Sequence, residues 1–422
     1  MKVFKFGGAS VKDAASIRNI AKLLSLYKGE KLAIVISAMG KNTNAFEKIV
    51  EQCLTQNEVN YLALIAEREK FHLDILSDLI TDASHPVFEE IQSIFNSLRI
   101  FCKRNSQENE NALYAEIVST GEILSTNIVN AFLRQEGFNS HWKDARKLVR
   151  TENKFLDANV DWEQTQQLFE KDFLDSSDSS GILLTQGFIG HNSDNQTTTL
   201  GREGSDFSAA IVAHCCNAES VTIWKDVPGM LNADPKLFDN TVKLDKISFR
   251  EAIELSYYGA SVIHPKTIKP LQNKSIPLYV KSFLNPDNEG TTIHSCTKSD
   301  TLIPSFIFKK NQLLFSISPK DFSFIEEQNL SAIFSQISSL DLKINVMQNS
   351  ALSFSVLVDE EKVNLEQFLS LFSKNYHVKY NSGLELITIR HYNQETIDRL
   401  TLNKSIILQQ LTRETARIIV AS

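Results

Sequence analysis

The chain has 422 residues, 42% of them hydrophobic and 23% charged, which is enough for roughly two to four domains around large buried cores. Its 44 lysines and arginines against 51 aspartates and glutamates give a net charge of −7, which argues against nucleic-acid binding through a general basic field. No apolar run approaches the ~20 residues of a membrane span, and the five cysteines form no CxxC pair. We therefore expect a reduced, cytoplasmic protein that holds no metal with its own side chains.

As far as about residue 290, short apolar runs alternate with helical patterns. Uninterrupted apolar strands separated by helices predict a parallel or mixed sheet that is covered on both faces. Residues 11–26 have an apolar stripe with helical spacing. Residues 61–103 predict a long helical hairpin over the sheet, with its turn at residues 84–86. The predicted strands are residues 3–6, 31–37, 182–185 and 221–224.

The pattern breaks around residues 285–290, and a stretch rich in serine, threonine and aspartate follows to Asp300. We therefore predict one domain in residues 1–295 and a second region in residues 300–422. Short elements in the order βαββαβ give this tail an α+β, ferredoxin-like pattern, with one full unit and a reduced second one. Its predicted strands are residues 313–317, 343–347, 352–358, 385–391 and 417–420, and its predicted helices are 326–340, 365–374 and 395–402.

Lys5 closes the first predicted strand, and Gly7, Gly8 and a predicted helix follow at once. Glycines let backbone N–H groups approach a phosphate closely, and a helix N-terminus favours an anion, so this junction is suited to phosphate binding. Lys5 is placed to reach a transferring phosphoryl group. The chain has no GxxxxGK[ST] motif, so this is not a P-loop. A plain strand–turn–helix junction with a solvated lysine is the alternative.

A second candidate anion site is the segment 197–206, in which three threonines, two glycines, Arg202 and Asp206 precede a predicted helix. Backbone N–H groups and an arginine fork bind carboxylates or phosphates well. The alternative is an ordinary helix start with Ser205 or Asp206 as the N-cap. That alternative leaves the threonine run unexplained.

Six motifs occur in the order found in aspartate kinases, and on them the chain resembles that family over about residues 1–295. They are residues 5–11 (KFGGASV), 119–122 (STGE), 185–188 (TQGF), 197–206 (TTTLGREGSD), 226–229 (DVPG) and 264–265 (HP). The resemblance implies the amino-acid kinase (carbamate kinase-like) fold, a three-layer α/β/α sandwich, followed by an ACT region. It also implies transfer of the γ-phosphoryl group of ATP to the β-carboxylate of L-aspartate, the first step toward lysine, threonine and methionine.

The resemblance also implies roles for individual residues. Lys5 would stabilise charge on the transferring phosphoryl group, and Asp206 would hold Lys5. Arg202 would grip the α-carboxylate of aspartate as a bidentate fork, and Glu122 would face its α-ammonium group. The remaining predicted aspartate contacts are Ser37, Thr43, Phe188 and Ser205. The predicted ATP contacts are Gly7, Gly8, Lys225, Asp226, Lys236, Ser261 and Lys266, and Mg²⁺ would arrive with ATP.

The sequence departs from the family pattern at three positions. Glu203 stands where the family usually has glycine, and we expect it to weaken substrate binding unless its side chain points outward. Ser261 replaces a lysine that contacts ATP in many relatives, and Lys266 could substitute for it. Lys225 replaces a frequent threonine or serine.

The tail resembles tandem ACT units, which pair across subunits and bind an amino-acid end product. We therefore expect a homodimer or larger homo-oligomer and an effector such as lysine or threonine, with Asn345 as the candidate contact. Two alternatives stay open: a kinase of another acidic amino acid such as glutamate, and a catalytically silent amino-acid sensor. We expect no dehydrogenase domain, because these residues leave no room for one and contain no GxGxxG.

Overall fold

The structure, a computed structural model, describes residues 1–104, 109–171, 181–238, 240–260, 263–321 and 323–421. The chain divides into two compact units. The first comprises Met1–Met230, Lys243–Ile253 and Ser261–Ser299, and the second comprises Leu231–Val242, Glu254–Ala260 and Asp300–Ser422. Nothing in the sequence indicated that residues 231–242 and 254–260 would belong to the second unit.

The first unit is built on a mixed β-sheet. Its strands are β1 (Lys2–Phe6), β2 (Leu32–Ile36), β3 (Ser140–Lys143), β4 (Ile182–Gln186), β5 (Ile189–His191), β6 (Thr197–Thr199), β7 (Ser220–Lys225), β8 (Lys246–Ser248), β9 (Leu278–Ser282) and β10 (Thr291–His294). Eight of them form one sheet in the order β3-β4-β2-β1-β7-β9-β10-β8, and β5 pairs with β6. All neighbours in the large sheet are parallel except β9 and β10. Every residue of β2 is buried, which explains its continuous apolar sequence.

Helices cover this sheet. Those that begin in the first unit are α1 (Ala14–Ser25), α2 (Asn42–Leu54), α3 (Glu58–Leu79), α4 (Val87–Arg104), α5 (Glu110–Gln135), α6 (Trp162–Phe169), α7 (Gly204–Cys215), α8 (Phe249–Tyr258) and α9 (Pro265–Asn273). The predicted hairpin is confirmed, because α3 and α4 flank the predicted turn. Ile65 of α3 and Phe95 of α4 are buried in the same apolar core as Phe4 of β1. Within the described ranges, no helix is both long and apolar enough to cross a membrane.

The junction after β1 differs from the prediction. A short 3₁₀ helix, Gly8–Val11, begins at the second glycine, and α1 begins only at Ala14. The reason is a strong N-cap, because the carboxylate of Asp13 accepts a hydrogen bond from the backbone N–H of Ser16 at 2.7 Å. The N-terminus of α1 therefore lies one short turn away from the glycines.

The second unit contains a six-stranded antiparallel sheet. Its strands are β11 (Ser305–Pro319), β12 (Ile344–Asn349), β13 (Phe354–Asp359), β14 (Tyr376–Arg390), β15 (Ser405–Leu411) and β16 (Thr415–Ala421), in the order β12-β13-β11-β14-β16-β15. Three helices of this unit are α10 (Glu327–Ser339), α11 (Leu365–Phe372) and α12 (Gln394–Thr401). Strand β15 was absent from the predicted elements. It contains the apolar run 406–408, but most of its residues are exposed.

Two long strands organise this sheet. Strands β11 and β14 have 15 residues each and pair with one another along most of their length. The elements β11-α10-β12-β13-α11-β14 form one ferredoxin-like half. The elements β14-α12-β15-β16 form a second half, in which the start of β11 lies beside β14 as the fourth strand. Residues 305–309, the first part of β11, thus complete the second half, whereas the rest of β11 belongs to the first half.

Candidate active site

A cavity of about 520 Å³ lies in the first unit, where β1 and β7 end and where the loops after β2 and β4 begin. Open α/β sheets usually bind ligands at the carboxyl ends of their strands. The structure brings together in this cavity both predicted catalytic residues, all six predicted aspartate contacts and two of the predicted ATP contacts. These lining residues are Lys5, Gly8, Ser37, Thr43, Glu122, Phe188, Arg202, Ser205, Asp206 and Lys225.

A buried cluster of charges forms part of the cavity wall. The Nζ atom of Lys5 lies 2.6 Å from Oδ1 of Asp206, and the Nζ atom of Lys225 lies 3.4 Å from Oδ2. Burial by itself would raise the pKa of Asp206, but the ammonium groups of Lys5 and Lys225 hold that pKa below its ordinary value. Asp206 therefore stays ionised and fixes two cations at the end of β1 and β7.

Asp206 owes its position to the start of α7. The alternative, a helix start with Ser205 or Asp206 as the N-cap, does not hold, because α7 begins at Gly204 and its N-cap is Glu203. Asp206 lies instead in the first helical turn, where the helix dipole favours an acidic side chain. Ser205 packs against Gly187, and a Cβ atom at Gly187 would lie only 2.5 Å from Cβ of Ser205. This close approach explains the glycine of the TQGF motif.

Glu122 projects from α5 into the cavity wall and is almost completely buried. Burial raises the pKa of its carboxyl group to about 8, although Lys5 and a hydrogen bond from the backbone N–H of Ala38 oppose the shift. Its Oε2 atom has no hydrogen-bond partner among the described residues. Glu122 is thus a buried carboxyl group in which one oxygen, Oε2, lacks a described donor.

Glu203 belongs to the loop before α7, and this residue lines the cavity together with the exposed Arg202. Its φ of 54° lies in the left-handed region, which costs a residue with a Cβ about 1 kcal/mol relative to glycine. The glutamate therefore occupies a backbone position that suits glycine better.

Gly8 allows two loops to pack closely. A Cβ atom at Gly8 would lie 2.5 Å from the carbonyl oxygen of Gly40, and the N–H of Gly40 donates to the carbonyl of Gly8 at 3.0 Å. At Gly7, a Cβ atom would lie 3.3 Å from Nζ of Lys5. The two glycines therefore keep the loop after β1 tight against the loop after β2 and leave space beside Lys5.

The other predicted ATP contacts are more scattered. Asp226 is exposed directly after β7. The ammonium group of Lys266 forms an ion pair with Asp157, a residue that lines the cavity. Lys236 is exposed and belongs to the second unit, and Ser261 lies outside the described residues.

Some lining residues were not predicted, among them Glu47, Tyr114 and Asp157. The hydroxyl of Tyr114 donates to Oε1 of Glu47 at 2.7 Å. Helical spacing could have found Glu47, because it lies four residues after Thr43 on α2. Asp157 carried no signal, since its place in the wall depends on contact with the loop at Gly201. There a Cβ atom would lie 2.1 Å from Oδ1 of Asp157.

Residues 1–282 match the model of the amino acid kinase family. The chain belongs to this family. Among its curated relatives, lysine-sensitive aspartokinase 3 of Escherichia coli is 28% identical over 395 residues, which cover 92% of this chain and 86% of that protein. The bifunctional aspartokinase/homoserine dehydrogenase of Buchnera aphidicola is 30% identical over 397 residues, which cover 91% of this chain and 47% of that protein.

Solved structures of family members support the same fold. E. coli aspartokinase III in complex with aspartate and ADP (R-state) aligns with a TM-score of 0.82 and 25% identity, covering 100% of this chain and 96% of that one. The same enzyme in complex with lysine and aspartate (T-state) gives the same values. Clostridium acetobutylicum aspartate kinase aligns with a TM-score of 0.79 at 20% identity, which bears on the fold alone. The predicted amino-acid kinase fold with a ferredoxin-like, ACT-type tail is confirmed.

Proposed function

We propose that this protein is an aspartate kinase, which transfers the γ-phosphoryl group of ATP to the β-carboxylate of L-aspartate. The observation that carries the proposal is the buried cluster of Lys5, Asp206 and Lys225 in a cavity that Arg202 and Glu122 also line. The relatives support it, because E. coli aspartokinase III binds aspartate and ADP and is similar along the whole chain.

Chemistry at this site needs no general base. The β-carboxylate of aspartate has an ordinary pKa near ~3.9 and is already ionised at neutral pH. One of its oxygens attacks the γ-phosphorus, a new O–P bond forms, and the bond from that phosphorus to the β-phosphate oxygen breaks to release ADP. The rate then depends on alignment and on neutralising the phosphoryl oxygens.

Lys5 supplies that neutralising charge in our proposal. Its ammonium group is held 2.6 Å from the carboxylate of Asp206, so it needs little reorganisation when the phosphoryl group moves. Asp206 acts as a positioning residue that orients Lys5 and takes no proton from the substrate. Lys225, on the other side of Asp206, adds a second cation toward the phosphates of ATP.

Substrate selection in this proposal depends on the two charged groups at the α-carbon of L-aspartate. Arg202 binds the α-carboxylate with its guanidinium fork, and Glu122 accepts a hydrogen bond from the α-ammonium group. A positive charge beside Glu122 favours its ionised form, so binding should release the proton that burial keeps on the free enzyme. The residues proposed to complete the pocket are Ser37, Thr43, Phe188 and Ser205.

The loop after β1 and the segment after β7 are proposed to hold the nucleotide. Gly7, Gly8 and Asp226 are proposed to contact ATP, and roles for Lys236, Ser261 and Lys266 stay predictions. Mg²⁺ is proposed to enter with ATP, because the described residues include no group of three or more acidic, histidine or cysteine side chains arranged to hold a metal ion.

The tail is proposed to regulate the enzyme as an ACT region. Residues 1–295 would form the catalytic domain and residues 300–422 the regulatory region, through which subunits of a homodimer or larger oligomer would pair. E. coli aspartokinase III binds lysine, so lysine is the first effector to test here, followed by threonine. A cytoplasmic location and a contact between Asn345 and the effector also stay predictions.

A hydroxylamine assay tests the activity. The protein is incubated with ATP, Mg²⁺ and either L-aspartate or L-glutamate, and hydroxylamine traps any acyl phosphate as a coloured hydroxamate. We expect a signal with aspartate. A signal with glutamate alone would identify a different acidic amino-acid kinase, and no signal with either would favour the silent sensor.

A further inference from the structure

We infer that Asp157 is a positioning residue for substrate binding, because its carboxylate holds in place the loop that carries Arg202. That loop comprises residues 200–203, between β6 and α7. Asp157 belongs to a different segment, residues 152–159, which contains neither helix nor strand. The role rests on the proposed function and deepens it, since it concerns the placement of the residue proposed to bind the α-carboxylate.

Arg202 depends on its backbone for its position. The residue is exposed, and its guanidinium group forms no hydrogen bond or ion pair with any residue that the structure describes. A long side chain without such partners keeps much of its rotamer freedom. Its placement beside a substrate therefore depends on the loop from which it projects.

Asp157 packs against this loop at Gly201, directly before Arg202. Gly201 has a φ of 79°, in the left-handed region that glycine adopts readily. A Cβ atom at this position would lie 2.8 Å from Cγ of Asp157 and would overlap its Oδ1 atom. The carboxylate thus occupies the space beside the Gly201 backbone, and the loop cannot shift toward residues 152–159 while that side chain is in place.

Backbone hydrogen bonds join the two segments next to this contact. The N–H of Ala158 donates to the carbonyl of Thr199 at 2.9 Å, and the N–H of Thr199 donates to the carbonyl of Phe155 at 2.8 Å. Thr199 is the last residue of β6, so both bonds lie where the loop begins. Asp157 lies between the two bonded residues of its own segment and is therefore fixed opposite Gly201.

The segment 152–159 also has internal bonds that fix its shape. The N–H of Glu152 donates to the carbonyl of Asn159 at 3.0 Å, and the amide side chain of Asn159 donates to Oε1 of Glu152 at 2.9 Å. Asp157 has a φ of 51°, in a left-handed region that aspartate adopts more readily than most residues. Contacts at both ends of the segment thus present Asp157 to the loop.

Lys266, in the first turn of α9, orients the carboxylate. Its ammonium group forms an ion pair with Oδ1 of Asp157, the same atom that lies over the backbone of Gly201. Because Asp157 also lines the cavity, direct contact with the substrate is the alternative role. A carboxylate that is already paired with a lysine and packed against the loop is less suited to bind the substrate ammonium group, which favours positioning.

Two substitutions separate these roles. Asp157→Gly suits the left-handed backbone and removes the side chain from Gly201, whereas Asp157→Asn keeps the shape and an oxygen that can accept from Lys266. We expect Asp157→Gly to raise KM for L-aspartate at least about fivefold with kcat and KM for ATP within about twofold, because Arg202 is misplaced for substrate binding. Asp157→Asn should raise KM for aspartate less than about twofold.

Asn195→Gly is the matched control. Asn195 is exposed in the turn between β5 and β6, has a φ of 57° and lies outside the lining of the cavity. This variant introduces a glycine at a similar backbone conformation, so KM for aspartate should stay within about twofold of the wild type. A rise below about twofold in Asp157→Gly, or an equal rise in Asp157→Gly and Asp157→Asn, would overturn the positioning role.

A double-mutant cycle with Arg202→Ala tests whether Asp157 acts through Arg202. Since kcat/KM for aspartate is the initial slope of rate against concentration, it can be measured even when the pocket no longer saturates. Asp157→Gly should lower kcat/KM at least about fivefold in the wild type and less than about twofold in the Arg202→Ala background. Equal effects in both backgrounds would overturn the inference. Failure of the proposed function looks different, since the wild type would then give no hydroxamate from aspartate.

Discussion

Each unit of the protein contains a buried cluster of polar and charged side chains, and the two clusters are built from similar groups. In the first unit, Lys5 and Asp206 meet in the wall of a cavity of about 520 Å³. In the second unit, Lys309 donates to Oδ1 of Asn345 at 2.9 Å, beside a space of only about 10 Å³. Burial and charge alone therefore do not identify a binding site; room for a ligand does.

The cluster of the second unit is satisfied internally. The amide nitrogen of Asn345 donates to Gln312 and to Asp359, each at 2.8 Å, and its backbone carbonyl accepts from Arg417. Although burial alone would raise the pKa of Asp359, the hydrogen bonds from Gln312 and Asn345, together with nearby Lys309, hold that pKa below its ordinary value. These contacts indicate that the cluster stabilises the sheet, whereas the cluster of Lys5 is proposed to act on the transferring phosphoryl group.

The largest expected effect comes from removing the lysine of the first cluster. Lys5→Ala should lower kcat by about 10²–10³-fold, because a preorganised donor to the phosphoryl group is lost. Lys225 still pairs with Asp206, so the fold should remain intact by circular dichroism. Near-normal turnover in this variant would contradict the role of Lys5. It would also mean that the two clusters do not differ in function.

The second effect concerns pH and Glu122. Because its pKa is raised to about 8, the carboxyl group is protonated at pH 6 and ionised above pH 8. If the ionised form binds the substrate ammonium group, kcat/KM for aspartate should rise about tenfold from pH 6 to pH 7 and level off above pH 8. Glu122→Gln should remove this rise, and a flat wild-type profile from pH 6 to pH 8 would refute the proposed role.

The matched substitution in the second cluster should act on stability. Lys309→Ala removes the donor to Asn345 and a cation near Asp359, so we expect the free energy of unfolding to fall by about 1–2 kcal/mol. Urea denaturation measures this change, and kcat without effector should stay within about twofold of the wild type. A large loss of turnover with unchanged stability would show that the second cluster is more than a structural element.

The smallest expected effect is at Lys266. Its ammonium group is paired with Asp157 at a partly exposed site, and such pairs contribute about 0–1 kcal/mol. Lys266→Ala should therefore change KM for ATP by less than about threefold and leave the melting temperature nearly unchanged. An increase of tenfold or more would mean that Lys266 leaves Asp157 and binds the nucleotide.

The sequence predicted the parts of the molecule that depend on local patterns. The apolar runs of β1 and β2 and the helical spacing of α3 and α4 identified those elements, and the family resemblance predicted ten residues that share one cavity. Patterns of contact between distant segments were not predictable. The position of Asp157 beside Gly201 and the length of β11 depend on such contacts, and the sequence does not reveal the left-handed backbone of Glu203.

Strand β11 belongs to both halves of the six-stranded sheet. Its residues 305–309 pair with the part of β14 that lies in the second half, and its residues 312–317 pair with β13 of the first half. Neither half can separate without breaking hydrogen bonds of the other, so the tail should lose its structure in one cooperative step. A chain truncated after β14 would keep the elements of the first half and lose α12, β15 and β16 of the second. It would expose the edge of β14 that β16 now covers, and an open edge of this kind pairs readily with other chains and promotes aggregation.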